Sequence, residues 1–374
     1  MKSQRIIAYL AEPNAEKQAL FRAVARRLGY GQSLASWPIS IRGYPETAAR
    51  AEECLGRAKK QPRGTLGRAL KRAFLKGRYN WARRWFSARP GAVAMCWQGL
   101  TGTRRAFIEG ARDAGAPTLF AELAPLPGRW TLDAQGVNAE NSVPRRWEAY
   151  DAVAPNYELL AGLREAFEAR QPRRRDVGQS DAPLPEDARF LFVPLQVPDD
   201  SQMILFAGWC GGLEGFIDAL AEASAALPEG WHLRLKEHPS AKRSVRARIE
   251  RHIAAGARLE LDNARDSFAQ LEASAGVLTV NSSMGLQAMF FDKPVIVTGE
   301  AFFAFEGVAH PAGSPQELAQ LLADPDALGH DGDLRARFLT WLAHDYYIDF
   351  DGKALIDSAQ LGRITKKIEG PQDS

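Results

Sequence analysis

An α/β protein of two domains, each a parallel sheet covered by helices, is the architecture the sequence predicts. Three observations point there. At 374 residues the chain is too long for one ordinary α/β domain and about right for two. Short apolar runs alternate with helical stretches, the pattern of βαβ units. Residues 170–187 (RQPRRRDVGQSDAPLPED) interrupt that pattern with the polar, proline- and arginine-rich composition of an interdomain linker. The expected division is an N-terminal domain over 1–169, the linker, a C-terminal domain over 188–340 and an extension over 341–374.

In order, the first half offers a strand at 6–10 and a helix at 15–28. After a basic region come a strand at 92–97, a helix at 104–114 and a strand at 117–123. The second half reads more clearly. Strands are expected at 189–197, 231–236, 259–261, 276–280 and 294–298. Helices at 212–227, 245–255, 267–275 and 284–291 fall between them. Such a sheet binds its ligands at the carboxyl ends of its strands.

Composition narrows the function. Hydrophobic residues make up 45% and charged residues 25%, as in a globular protein. No apolar run approaches the ~20 residues needed to cross a bilayer. The opening MKSQRIIAYLAEPNAEK lacks the apolar core and cleavage site of a secretory signal, so a cytoplasmic location is expected. Cys54, Cys96 and Cys210 are scattered, giving neither a disulfide framework nor a metal spacing.

The net charge of +3 is distributed unevenly: residues 54–90 hold twelve Lys or Arg and no Asp or Glu. Within them Leu66, Leu70, Phe74, Gly77, Trp81 and Trp85 recur at helical spacing. Arg68, Lys71, Arg72, Lys76, Arg78, Arg83 and Arg84 surround that stripe. A basic helix over Leu66–Phe86 with one apolar face suits an anionic membrane surface, on the inner face of a bacterial inner membrane. It equally suits a core-packing helix with a solvated face, and Gly77 would weaken or divide it. Recognition motifs for nucleic acid are lacking elsewhere, so none is expected as a partner.

Polar clusters follow three of the second-half strands. In 276–285 (GVLTVNSSMG) a buried strand runs into Asn281, Ser282 and Ser283 and then a helix, whose free N–H groups form an anion site or are simply capped. Gly285 would allow close backbone approach. In 236–240 (KEHPS) Lys236 and His238 could meet a nucleotide phosphate, with Pro239 fixing the turn. In 193–202 (VPLQVPDDSQ) Asp199 and Asp200 could supply a nucleophile or base, or form an Asx turn. In the first half, Glu122 stands near a strand end. Residues 131–145 (TLDAQGVNAENSVPR) read as a long structured loop.

At these residues the sequence resembles the capsular polysaccharide biosynthesis family that contains the KpsC/KpsS-type β-Kdo transferases. The matching segments are Trp97–Gly99, Glu122–Pro127, Asp133–Arg145, Gln196–Gln202, Glu237–Pro239 and Val280–Phe303. The resemblance implies a GT-B-like pair of Rossmann-type domains whose parallel sheets face a central cleft. It further implies transfer of Kdo from CMP-Kdo, with retention, to a lipid-linked or oligosaccharide acceptor, and no cofactor or metal. Asp200 matches the nucleophile, Glu122 the partner carboxylate, and His238 with Ser282 and Ser283 the phosphate-holding residues. Gln196, Lys236, Glu237, Pro239, Asn281 and Gly285 complete the implied donor site, and Gln98, Asn138, Asn141 and Arg145 fall on the acceptor side. Two departures also fall there: Gln98 replaces the family's Asn in Trp-Asn-Gly, and Ala124 replaces Gly in Glu-x-Gly-Pro. Other expectations are a GT-B transferase for another nucleotide sugar and a non-catalytic subunit of a polysaccharide assembly complex.

Overall fold

The computed structural model describes residues 5–169, 189–355 and 359–369, so the expected linker at 170–187 lies outside the described residues. In chain order the first strands are β1 (Ile6–Leu10), β2 (Tyr30–Leu34), β3 (Val93–Trp97), β4 (Thr118–Leu123) and β5 (Arg129–Asp133). Then follow β6 (Arg189–Pro194), β7 (Trp231–Lys236), β8 (Leu259–Leu261), β9 (Gly276–Thr279), β10 (Val295–Val297), β11 (His310–Pro311) and β12 (Ile348–Asp349). They build two six-stranded sheets, ordered β12-β5-β4-β3-β1-β2 and β11-β10-β9-β6-β7-β8.

The chain divides into two compact units. The first comprises Met1–Ala124, Gly128–Val143 and Leu342–Ser374, and the second Pro125–Pro127 and Pro144–Trp341. This corrects the sequence expectation at both ends. Residues 144–169 join the second unit because Tyr150 is fully buried there, stacked on Phe305 and edge-on to Phe338 and Trp341. The expected extension returns to the first unit. There β12 pairs antiparallel with β5, and the helix Ala359–Glu369 buries Leu361, Ile364 and Ile368 in the core.

Every strand of the second sheet runs parallel to its neighbours. Strands covered on both faces read as continuous apolar runs, such as Phe190–Val193, which is why the sequence exposes them. Numbered within the unit, the strand order is 6-5-4-1-2-3, the doubly wound nucleotide-binding order read from the other edge. Its reversal falls between β6 and β9.

In the first sheet β2, β1, β3 and β4 are parallel, β5 is antiparallel to β4, and β12 is antiparallel to β5. Here the order reverses between β1 and β3. Asn14 caps the helix Ala15–Leu28 by accepting from the Lys17 N–H at 3.0 Å, and Leu20, Phe21 and Val24 bury its inner face. Tyr30–Leu34 is a polar strand and Arg129–Asp133 begins what read as a loop, so neither showed in the apolar pattern.

The basic helix is a single piece, Gly64–Ser87. Gly77 does not divide it; a Cβ there would lie 2.9 Å from Ile39 Cβ, so glycine makes room for that side chain. The C-terminal half is core. Leu75, Tyr79, Ala82 and Phe86 are buried, and Gly110 of the helix Gly102–Asp113 lets the two backbones touch. Arg78 is buried and donates to the Pro38 carbonyl at 2.5 Å, while Arg83 is held by Glu46 and the Tyr79 hydroxyl. The apolar stripe expected to face a membrane over Leu66–Phe86 is therefore exposed only in the first half of the helix, at Leu66, Leu70 and Phe74. Among the described helices none is long and apolar enough to cross a membrane.

Candidate active site

In a doubly wound sheet the ligand site lies outside the carboxyl ends of the strands where their order reverses. The second unit fills that position from three neighbouring strands: Gln196 follows β6, His238 follows β7 and Asn281 follows β9. Gln196 Nε2 donates to Asn281 Oδ1 at 2.9 Å, and the Asn281 N–H donates back to Gln196 Oε1 at 3.3 Å. Asn281 is 3% exposed, and its amide also donates to the Gln202 and Phe206 carbonyls at 3.3 and 3.0 Å. Those bonds hold the short helix Ser201–Phe206, and so they set the position of Asp200.

Asp200 is the N-cap of that helix. Its Oδ1 accepts from the Gln202 N–H at 2.8 Å and from the Ser201 hydroxyl at 3.4 Å. Capping and chemistry are compatible here, because both bonds fall on one carboxylate oxygen. Asp199 beside it is exposed. His238 Nδ1 accepts from the Ser240 N–H at 3.1 Å, which fixes the neutral tautomer with the hydrogen on Nε2. The ring is exposed on one side, yet burial on the other lowers its pKa, against the upward pull of the Asp200 carboxylate. The site therefore presents one carboxylate beside one neutral N–H donor. Pro239 follows on the same exposed turn.

Ser282 caps the helix Ser283–Ala288, accepting from the Met284 N–H at 3.2 Å, and its own N–H donates to the Thr279 hydroxyl at 3.1 Å. Ser283 is exposed. This helix has only six residues, so it offers the free N–H groups of one turn rather than a long dipole.

Three donor-side candidates have other work. Gly285 is buried, and a Cβ there would lie 3.1 Å from Thr279 and 3.2 Å from the Phe303 ring, so it serves packing beneath the turn. Lys236 is 7% exposed, and its ammonium donates to the Asn263 carbonyl at 3.0 Å and to the Arg265 carbonyl. It anchors the segment after β8. Glu237 accepts from the Ser244 hydroxyl and the Val245 N–H, each at 2.7 Å, and from the Asn263 amide at 2.7 Å. Burial opposes its ionisation, but these bonds hold its carboxyl below the ordinary range. Both residues shape the loop around His238. A hollow of about 470 Å³ near β11, lined in part by His310 and His330, contains none of these residues.

The first unit carries a different cluster at its own reversal. Glu122 lies in β4 opposite Thr131, half-buried, with Oε1 accepting from the Leu123 N–H at 3.0 Å. Lys17, in the helix after β1, sets its Nζ 3.9 Å from the centre of the Trp97 ring. Burial lowers the Lys17 pKa, opposed by the nearby carboxylates of Glu122 and then Glu12. Glu12 is buried and takes Arg104 Nη2 on both oxygens, at 2.6 and 2.7 Å. Sequence reasoning missed Glu12, Lys17 and Arg104. The available signal was position, since Glu12 and Lys17 follow the first strand of a βα unit, where such sheets place their sites.

The acceptor-side candidates are not gathered on one element. Gln98 directly follows β3 with φ 58°, its N–H bonded to the Ala121 carbonyl at 2.9 Å. Asn138 has φ 55°. Left-handed backbone costs a non-glycine residue roughly 1–2 kcal/mol, and strain of this kind collects at functional sites. Asn141 is buried and accepts from the Val143 N–H at 3.3 Å. The organiser of this loop is Asp133, fully buried, which accepts from the N–H groups of Gln135, Gly136 and Ser142 and from the Ser142 and Tyr346 hydroxyls. Arg145 is exposed and belongs to the second unit.

All three cysteines are buried and unpaired, and burial raises their thiol pKa values. Among the described residues no three His, Cys, Asp or Glu side chains group as metal ligands.

Residues 148–328 match the family described as "Capsule polysaccharide biosynthesis protein". That span encloses Asp200, His238 and Ser282 and leaves out Glu122, Gln98, Asn138, Asn141 and Arg145. The chain is 30% identical over 234 residues to Protein FixF of Sinorhizobium fredii (strain NBRC 101917 / NGR234). The match takes in 63% of this chain and 55% of that protein, so the chain spans about half the length of this curated relative. Among solved structures it is similar to the beta Kdo 2,7 transferase of Thermosulfurimonas dismutans KpsC, with a TM-score of 0.53 and 13% identity. That likeness covers 96% of this chain and 98% of the other, and at this identity it is one of fold, GT-B.

Proposed function

We propose that the chain, whose residues 148–328 match the capsule polysaccharide biosynthesis family, is a retaining glycosyltransferase of bacterial surface polysaccharide. The proposed reaction moves Kdo from CMP-Kdo to a lipid-linked or oligosaccharide acceptor. One observation carries it: Asp200, His238 and Ser282 follow three neighbouring strands at the reversal of the second sheet, braced by the Gln196–Asn281 pair.

In the first step an Asp200 carboxylate oxygen bonds to the anomeric carbon as that carbon's bond to the phosphate oxygen breaks. The electron pair leaves with cytidine monophosphate. Its charge is met by the His238 Nε2–H and the hydroxyls of Ser282 and Ser283, donors fixed before the charge appears. In the second step an acceptor hydroxyl gives its proton to a carboxylate base as its oxygen displaces Asp200. Two inversions leave the configuration retained. No step in this assignment calls for a metal.

Mass spectrometry of a reaction with CMP-Kdo and a synthetic glycolipid tests the reading. The expected product is heavier by one Kdo, with a Kdo adduct trapped on Asp200. Asp200→Ala should lower transfer by at least about a thousandfold while nucleotide affinity stays within about tenfold. Near-normal turnover by this variant would move the role to Asp199. Turnover of another nucleotide sugar, but not CMP-Kdo, would make the protein a GT-B transferase of different donor.

A further inference from the structure

We propose that the N-terminal half of the basic helix Gly64–Ser87, together with the loop around Ile39, is a docking surface for an anionic lipid bilayer. Leu66, Leu70, Phe74 and Gly77 are spaced by four, four and three residues and so share one helix face. At Gly77 that face is continued by Ile39, whose side chain lies where a Cβ would stand. The loop is pinned there by the Ser40 N–H, which donates to the Gly77 carbonyl at 2.9 Å, and by the Arg78 bond to Pro38. The apolar side chains on this strip point to solvent: Leu66 is 72% exposed, Leu70 63%, Ile39 55%, Trp37 74% and Ile41 100%. Single exposed apolar residues are ordinary, but several of them on one helix face and on the loop pinned to that helix mark an interaction site.

Charge decides what the site fits. Arg42, Lys59, Lys60 and Arg63 are exposed on the same two elements and the segment leading into the helix. Glu52 faces the helix, but it is shared by Arg68 at 2.9 Å and Arg72 at 2.6 Å, which leaves that group net positive. A cationic rim around exposed tryptophan, isoleucine and leucine matches a bilayer interface carrying negative headgroups. A protein partner or a second copy of this chain would have to present an acidic rim around its own apolar strip. Arg83, engaged by Glu46 and Tyr79, takes no part.

Vesicle sedimentation tests the proposal with the full chain. Phosphatidylcholine vesicles are compared with vesicles containing phosphatidylglycerol, at low and high salt, alongside gel filtration over a range of protein concentrations. Binding is expected to be at least about tenfold stronger with the anionic lipid, and to weaken with salt. The double variant Ile41→Glu, Leu70→Glu changes two exposed side chains, so it should melt like the wild type and lose at least about tenfold in binding. A wild type left in the supernatant with anionic vesicles at low salt overturns the proposal. Equal binding to both vesicle types, or unchanged binding by the double variant, does so too. Concentration-dependent dimers that the double variant abolishes, without vesicle binding, would assign the strip to a second copy.

Discussion

The two sheets place polar residues at the same topological point and give them opposite chemistry. At the ends of β9, β6 and β7 the side chains are mostly neutral: Gln196, Asn281, Ser282 and His238, with the carboxylate of Asp200. Between β1 and β3, and on β4 beside it, they are charged: Glu12 with Arg104, and Lys17 with Glu122. A neutral frame of fixed N–H and O–H donors suits a ligand that brings its own negative charge. A charge-balanced cluster over an aromatic ring suits a ligand with hydroxyl groups, where a proton must be taken up. The same fold position thus carries two kinds of chemistry, and the difference lies in a handful of side chains.

The neutral cluster of the second unit depends most on Asn281. Asn281→Ala removes the amide that joins Gln196 to the Asp200 helix and leaves buried carbonyls unpaired. We expect a loss of about 2–4 kcal/mol of stability, read from denaturant midpoints. A loss within about 0.5 kcal/mol would mean that the frame is not rigid.

A smaller effect is expected in the first unit. Lys17→Met should reduce transfer about tenfold and leave nucleotide affinity unchanged, since the second unit is untouched. Weakened nucleotide binding, measured by calorimetry, would contradict the division of labour between the two clusters.

The smallest effect sharpens the neutral side of the contrast. His238 should titrate below the ordinary 6.5 in a ring-proton NMR titration. Its protonated form is disfavoured in the folded state, so its contribution is fully present above 6.5 and is lost as pH falls through the window beneath. Protonation also places a hydrogen on Nδ1, opposite the Ser240 N–H. A midpoint at or above 6.5 would mean that the Asp200 carboxylate outweighs burial.

Five of the second unit's six strands were legible in the sequence, because doubly buried strands leave apolar runs and their ends leave polar clusters. The two-residue β11 and the helices Tyr157–Glu168, Ser201–Phe206, Pro315–Ala323 and Gly332–Trp341 were not. Gln196 and Asn281 were read as site residues, but their mutual bond joins positions 85 residues apart, which no local pattern reports. Lys236 and Glu237 had the right chemistry in the right place, and the fold turned them toward the chain itself. In the first unit Asp133 gathers five donors, four of them from residues 135–142, and so holds together the loop that the sequence predicted there. Glu12 and Arg104 meet across 92 residues, so nothing near either one announces the pair.

The return of residues 342–369 to the first unit has a consequence for the order of synthesis. The second unit, 144–341, is complete on the ribosome before β12 and the helix Ala359–Glu369 have emerged. The first unit begins earlier and finishes later, waiting with β5 as an uncovered edge and one flank of its sheet bare. Until then Leu132, Trp130 and Ile7 lack the chain segment that covers them. An uncovered strand edge beside apolar surface is what chaperones recognise and what aggregates when they are absent. Truncation just after Trp341 should therefore spare the second unit and leave the first as an adhesive intermediate.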